Sequence, residues 1–285
     1  MFQQWYGKTL IGFFILVIII ASFIFISRIQ LERKVLAERD ELYESLGNGK
    51  DIILDVELAS LPEPVADWLV DVGIIGNNRF KSVSFDQTGK MKLEKGQADW
   101  YIPEARQYVN IKEPGYLWTV DIPMFFTKGR DLYHKGQGSM LIKLAGAIPV
   151  VNENNKYKLN ESSLHRFLLE LPWYPTAALE DYITWEGIDA NSARAIINYQ
   201  GITADAIYYF KENGELESLE AMRYKDVDEN ASRLKCIGEI IDYTEVDGIK
   251  IPHKVNVSWI EAGEKFIWYK IENYNIVFDD FAFTQ

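Results

Sequence analysis

Residues 202–210 read Ile202-Thr203-Ala204-Asp205-Ala206-Ile207-Tyr208-Tyr209-Phe210, and Asn213-Gly214 follows. Ile202, Ala204, Ala206, Tyr208 and Phe210 occupy every second position, so an extended chain places all five on one face. Asn-Gly is a preferred pair for the tight turn between antiparallel strands, because both turn centres need φ > 0. The same pattern recurs on either side. Val83 and Phe85 alternate with Ser82, Ser84 and Asp86. Tyr116, Trp118 and Val120 alternate with Leu117, Thr119 and Asp121, while Val255, Val257 and Trp259 share a further face. Turn signals separate the runs at Thr88-Gly89, Glu113-Pro114-Gly115, Asp247-Gly248 and Ala262-Gly263. Closely spaced strands with tight turns form an antiparallel meander, since parallel strands need long crossovers.

Two short helices interrupt the strands. Leu61-Pro62-Glu63-Pro64 opens the first, in which Val65, Trp68, Leu69 and Val72 fall at i, i+3, i+4, i+7 and Gly73 suits the C′ position. In the second, Leu164, Phe167, Leu168 and Leu171 repeat that spacing, Asn160 or Ser162 is the expected N-cap, and Pro172 and Pro175 end the helix.

At the N-terminus, Thr9–Ser27 contains 19 residues without a charge. At ~1.5 Å per residue, such a helix approaches the ~30 Å of a bilayer hydrocarbon core. Trp5 and Tyr6 sit where an interfacial aromatic belt belongs. A cleaved signal peptide is the competing reading, with Lys8 in its basic flank and Ala21 at its cleavage site. The apolar run continues through Phe23-Ile24-Phe25-Ile26, beyond the ~7–15 residues of a signal core, which favours an uncleaved anchor. Arg28, Arg33, Lys34 and Arg39 on the far flank favour a cytoplasmic body by the positive-inside rule. Arg28–Leu46 reads as a helical stalk with i,i+4 pairs Arg28/Glu32 and Lys34/Glu38, stopped by Gly47-Asn48-Gly49.

The chain of 285 residues has a net charge of −12. Residues 1–40 hold five basic and three acidic residues, so the remainder carries −14. That balance excludes a broad phosphate-neutralising face and argues against nucleic acid as a partner. The lone cysteine, Cys236, excludes an intrachain disulfide and a multi-cysteine zinc site. Its neighbours Leu234, Ile237 and Ile240 mark it as a buried, inert thiol.

Motifs that carry chemistry are sparse. If residues 130–134 form a strand, Asp131 and His134 point to opposite faces and cannot act as orienter and base, so Asp131 reads as a sheet residue with a solvated head. His165 and Glu161 read as a surface ion pair. His134, His165 and His253 are scattered and lack metal-site spacing. Asp226-Val227-Asp228-Glu229-Asn230 begins like a calcium loop, but Ala231 replaces the required glycine and Ile237 the closing glutamate, leaving an acidic hairpin loop. Gly136-Gln137-Gly138 breaks off at Ser139, so nucleotide binding has no support. No cofactor, metal or catalytic residue is assigned. Leu171-Pro172-Trp173-Tyr174-Pro175-Thr176 sets two aromatics between prolines as a rigid corner, which either plugs the sheet or lines a pocket mouth.

The motifs Leu61-Pro62-Glu63-Pro64-Val65, Pro114-Gly115-Tyr116-Leu117-Trp118, Gly136-Gln137-Gly138-Ser139-Met140, Pro172-Trp173-Tyr174-Pro175-Thr176-Ala177 and Thr184-Trp185-Glu186-Gly187-Ile188-Asp189 resemble an uncharacterised bacterial domain-of-unknown-function family. Gly89-Lys90-Met91, Asp242-Tyr243 and Ile251-Pro252 extend the likeness. That family supplies no catalytic residues. By element order the body also resembles the lipoprotein-carrier class (LolA- and LppX-like folds), in which an antiparallel sheet curls into an incomplete barrel with helices over its concave face. This second resemblance implies an extracytoplasmic body in the bacterial envelope, against the flank charges, and that side is taken here.

The expected protein is therefore α+β. Residues 1–27 form a transmembrane anchor, 28–60 a juxtamembrane stalk, and 61–285 one half-barrel domain of roughly ten antiparallel strands with two short helices. The leading function is non-catalytic binding of a lipid or other amphiphile, or of an envelope partner, between sheet and helices, with Trp118, Trp173, Tyr174 and Trp185 at the pocket. The alternative is a structural module with a filled core. A third reading is an enzyme using Asp131, Glu170 or Glu186, which a pair of carboxylates converging on one buried point would favour.

Overall fold

The computed structural model describes residues 2–47, 51–123 and 126–279, with side chains from residue 10 onward. A long helix α1 (Phe2–Tyr43) precedes a short helix α2 (Glu63–Asp71). Six strands follow: β1 (Ser82–Met91), β2 (Glu104–Asn110), β3 (Gly115–Ile122), β4 (Thr127–His134), β5 (Gln137–Leu144) and β6 (Ile148–Asn154). Helix α3 (Tyr157–Glu170) then leads to β7 (Ile183–Asp189), β8 (Ser192–Tyr199), β9 (Ile202–Phe210), β10 (Leu216–Tyr224), β11 (Arg233–Val246), β12 (Ile249–Glu261) and β13 (Glu264–Phe278). All pair antiparallel in a single sheet of order β6-β5-β4-β3-β2-β1-β13-β12-β11-β10-β9-β8-β7. The count is thirteen, not roughly ten. Two meanders meet where the first strand pairs with the last, from Val83↔Phe278 to Met91↔Tyr269.

That seam corrects one turn. Thr88-Gly89 lies inside β1, opposite Glu272 and Ile271. Gly89 has φ +131°, and a Cβ there would lie 1.8 Å from the Lys270 carbonyl oxygen. The glycine permits a close strand approach rather than a reversal. The other signals end strands as expected; Asp247-Gly248 and Ala262-Gly263 both have paired positive φ. Lys135-Gly136, Ala145-Gly146 and Gln200-Gly201 do the same without an Asn or Asp at the first position.

The sheet curls into a half-barrel, and α3 crosses its concave side, touching β4 and β5 on one arm and β8, β9 and β10 on the other. Leu164, Phe167, Leu168 and Leu171 are fully buried, as their spacing predicts. Cap formation differs. Lys156 is the N-cap and supplies no side-chain bond. Asn160 instead accepts the Gly138 amide at 2.7 Å, tying α3 to β5. In α2, Val65, Trp68, Leu69 and Val72 pack into the same core, and Gly73 takes φ +79°.

Residues 2–43 form one unbroken helix. Its first half is long and apolar enough to cross a membrane, and Leu10–Ile20 expose apolar side chains all round. The second half lies along the convex face of β2–β4. Leu42 is fully buried against Leu117, and Arg130 donates from Nε to Glu38 at 2.7 Å. Lys128 meets Glu32 at 3.5 Å, and Asn110 donates to the Leu42 carbonyl at 2.7 Å. Of the two expected i,i+4 pairs only Lys34/Glu38 forms, at 3.8 Å, because the sheet offers Glu32 a cation. Ser82 and Ser84 are buried although they face away from the concave core, and Tyr43 at the end of α1 donates to the Val83 carbonyl between them at 3.4 Å. The Gly47-Asn48-Gly49 stop falls partly outside the described residues.

Candidate functional site

The inward faces of the strands do not meet. Between the sheet and α3 lies a cavity of about 440 Å³. Its walls are mostly apolar: Val120, Ile122, Met140, Ile142, Leu169, Leu219, Ile240, Val255, Val257 and Ile271 contribute. Gly238 on β11 leaves room between Leu219 and Val257, its partners in the β10 and β12 registers. Trp118 and Val120 are only partly buried although they face inward, because they border the void. Exposed lining residues Leu93 and Lys225 sit beyond strand ends, marking the mouth.

Trp118 and Trp173 both line the cavity. Trp118 donates its indole N–H to Gln87 at 2.8 Å. Trp173 packs edge-on to Phe85, with centroids 5.3 Å apart, and its indole N–H is buried without a partner. Tyr174 and Trp185 are placed elsewhere. Tyr174 is fully buried and donates to the Phe167 carbonyl at 2.6 Å. Trp185 donates to the Ala178 carbonyl at 3.0 Å and packs against Trp68 and Tyr208 in the solid part of the core. The Pro172–Pro175 corner thus sends Trp173 to the cavity and Tyr174 to the core.

Arg166 dominates the polar wall. It donates from Nη1 to Asp131 at 2.8 Å, from Nε to Glu170 at 2.6 Å and from Nη2 to Gln107 at 3.1 Å, and stacks 4.7 Å from the Tyr116 ring centroid. Gln107 donates in turn to Glu170. Burial works to lower the Arg166 pKa, but Glu170, Tyr116 and Asp131 outweigh it and hold the guanidinium above its ordinary value. Two carboxylates therefore do converge on one buried point, and that point is a cation. Burial first, then Asp131, pushes the Tyr116 phenol well up, so it stays neutral. Asp131 is buried, correcting the solvated head expected for it: α3 covers the face on which it lies. His134 points the other way, 3.7 Å from Glu41 on α1, as strand alternation requires.

Glu161 and His165 are also buried, not a surface pair. The two arms wrap both sides of α3, and Arg233 of β11 reaches over to make 2.7 and 2.9 Å bonds to the Glu161 carboxylate. His165 Nδ1 donates to the Glu161 carbonyl at 2.9 Å, and burial lowers the imidazole pKa. Cys236 lines the cavity, its thiol pKa raised by burial. Among the described residues no cluster of three metal-ligating side chains forms.

Tyr269 and Trp268 of β13 also line the cavity, and the phenol and the indole N–H are both buried without a partner, as is Asp131 Oδ1. Sequence reasoning missed these two, together with Arg166, Arg223 and Trp259. The Arg166/Glu170 spacing of four was the one available signal.

Residues 59–278 match the model of a family of unknown function, DUF6920. The chain belongs to this family. None of the curated proteins matches it. The crystal structure of a LolA superfamily protein from Nitrosomonas europaea is similar at a TM-score of 0.42 and 9% identity, over 69% of this chain and 85% of that one.

Proposed function

We propose that this DUF6920 member is a membrane-anchored, non-catalytic binding protein that holds one lipid-like amphiphile in the cavity beneath α3. The cavity carries the reading. Protein interiors pack to a density of ~0.75, and an unfilled void forfeits contacts along its whole lining. A void of about 440 Å³ lies in the ~300–1,000 Å³ range of small-molecule sites. Its aliphatic walls suit a hydrocarbon chain. The orphaned donors of Trp173, Trp268 and Tyr269 suit a few polar ligand atoms or water. The rival of a scaffold with a filled core leaves this hollow unexplained.

The anchor assignment rests on the exposed apolar half of α1. Ser27 donates to the Gly146 carbonyl at 3.0 Å, so the helix leaves the body beside the β5–β6 turn. Strand alternation places the β1–β2 and β3–β4 connections at that same sheet edge. Leu93, Ile122, Thr127 and Ile142 on that edge line the cavity. An amphiphile leaving the bilayer around α1 thus meets the open side of the cup.

The test is native mass spectrometry of the full chain, purified from its own membranes in mild detergent, with solvent extraction of the bound material. A one-to-one adduct is expected, lost in Gly238→Phe. A Cβ at Gly238 makes only ordinary contacts of 3.5 Å to Leu219, so the strand tolerates it while the ring occupies the void. A clean protein mass, or an adduct that Gly238→Phe retains, overturns the proposal.

A further inference from the structure

We propose that the cavity selects amphiphiles with an anionic headgroup, carboxylate or phosphate, and that Arg223 holds that group. This rests on the amphiphile reading and names its ligand class. The protein carries −12, yet the cavity lining contains five cationic side chains and two carboxylates. Both carboxylates, Asp131 and Glu170, are taken by Arg166. Of the remaining cations, Arg130 is held by Glu38 on the convex side and Lys225 by Glu261 at 2.6 Å. Arg223 and Lys92 are left. Among the described residues neither has a carboxylate within ion-pairing distance.

Arg223 is the better placed of the two. Its Nε and Nη2 bond to the neutral Ser162 hydroxyl at 3.2 and 3.1 Å, and its guanidinium lies 5.4 Å from the Trp259 ring centroid. Ser162 itself donates to the Tyr224 carbonyl, so its lone pairs face Arg223. The hydroxyl and the ring orient the planar fork without neutralising it. A guanidinium half-withdrawn from water favours an oxyanion that accepts two parallel N–H bonds. Arg223 lies two residues from the exposed Lys225 at the mouth, whereas the registered row Leu219, Gly238, Val257 and Tyr269 runs inward across the sheet. A headgroup at Arg223 therefore leaves the hydrocarbon chain to lie along that row. Lys92, held 4.8 Å over the Trp100 ring beside β1, adds positive potential from across the opening.

The experiment incubates the detergent-solubilised full chain with an equimolar mixture of hexadecanoic acid, hexadecyl phosphate and hexadecanol, read by native mass spectrometry. Acid and phosphate adducts are expected to exceed the alcohol by about tenfold or more, and their ratio to each other separates the two headgroup sources. Arg223→Gln removes that preference, so that the three adducts become comparable in amount within the folded variant. Arg223→Lys, which keeps charge without the fork, retains part of it. Equal binding of the three ligands, or an Arg223→Gln preference equal to wild type, overturns the proposal while leaving amphiphile binding intact. Absence of all three adducts from the wild-type chain overturns both.

Discussion

Replacing Arg166 by Met tests the polar wall most directly. Arg166 lies between Asp131 and Glu170, whose side chains are each 10% exposed. Met keeps the aliphatic reach of arginine but removes every donor, leaving two carboxylates beside each other in a place that water barely reaches. Breaking a buried ion pair from one side costs about 3–5 kcal/mol. For a body of this size each kcal/mol moves the melting temperature by about 2–4 °C, so Arg166→Met should melt about 6–20 °C lower at pH 8. The deficit must shrink on acidification. Unpaired buried carboxylates have raised pKa values, so the folded variant binds more protons than its unfolded chain and loses stability as pH rises. The combination Arg166→Met, Asp131→Asn and Glu170→Gln removes the buried charges and should recover most of the loss at pH 8. Tryptophan fluorescence melts of the full chain in detergent, at pH 5 and 8, provide the readout. A single variant within 2 °C of wild type at pH 8, a deficit independent of pH, or a triple variant no better than the single would each refute this account.

Two further outcomes follow from single contacts. Gly89→Ala drives a Cβ into the Lys270 carbonyl at a backbone angle that L-residues avoid, so it must part the β1–β13 seam. It should lower stability by at least about 2–4 kcal/mol and open the seam to proteolysis; native-like protease resistance would contradict the close approach. His165 is buried with a pKa held below its ordinary 6.5 by that burial, so its unfolded form binds the proton first and stability falls as pH drops below about 6.5. His165→Gln should flatten that part of the melting-temperature profile. His134, shifted downward by burial and then by Lys135, leaves a residual slope of the same sign. An unaltered profile would place the acid sensitivity elsewhere.

Local pattern carried more of this molecule than its tertiary contacts did. Ile202, Ala204, Ala206, Tyr208 and Phe210 are all buried on one face, because period-two alternation follows from backbone geometry alone. Glycine was ambiguous: it marks a reversal at Gly248 and a strand crossing at Gly89, and only the partner strand distinguishes the two. Strands were undercounted where turns such as Lys135-Gly136 and Gln200-Gly201 have positive φ without the customary Asn or Asp. The polar wall was illegible for a different reason. Asp131 and Arg166 meet only because α3 crosses from one arm to the other, and nothing local to either residue reports that crossing. Tyr174 and Trp185 show the same limit from the other side. An aromatic corner can be read locally, but which ring faces a void depends on how far apart the two sheet arms stand.

That separation has identifiable causes. The β1–β13 seam runs over Gly89, where the backbones approach too closely for a side chain, and this fixes how the two meanders curl toward each other. At the turns the arms already touch: a Cβ on Gly136 would lie 2.5 Å from Gln200, and the Tyr133 and Tyr199 rings stand 6.5 Å apart. Helix α3 is then pinned to both arms, by Asn160 to the Gly138 amide and by Ser162 to the Tyr224 carbonyl. Its inner face therefore cannot sink toward β11 and β12. Large side chains at Gly238 and Cys236 would have filled the remaining gap; these two small residues leave it open. The hollow thus follows from a frame closed at its turns and its roof over a low floor, and on the proposed reading a bound amphiphile would leave by the mouth unless the Asn160 or Ser162 tie is broken.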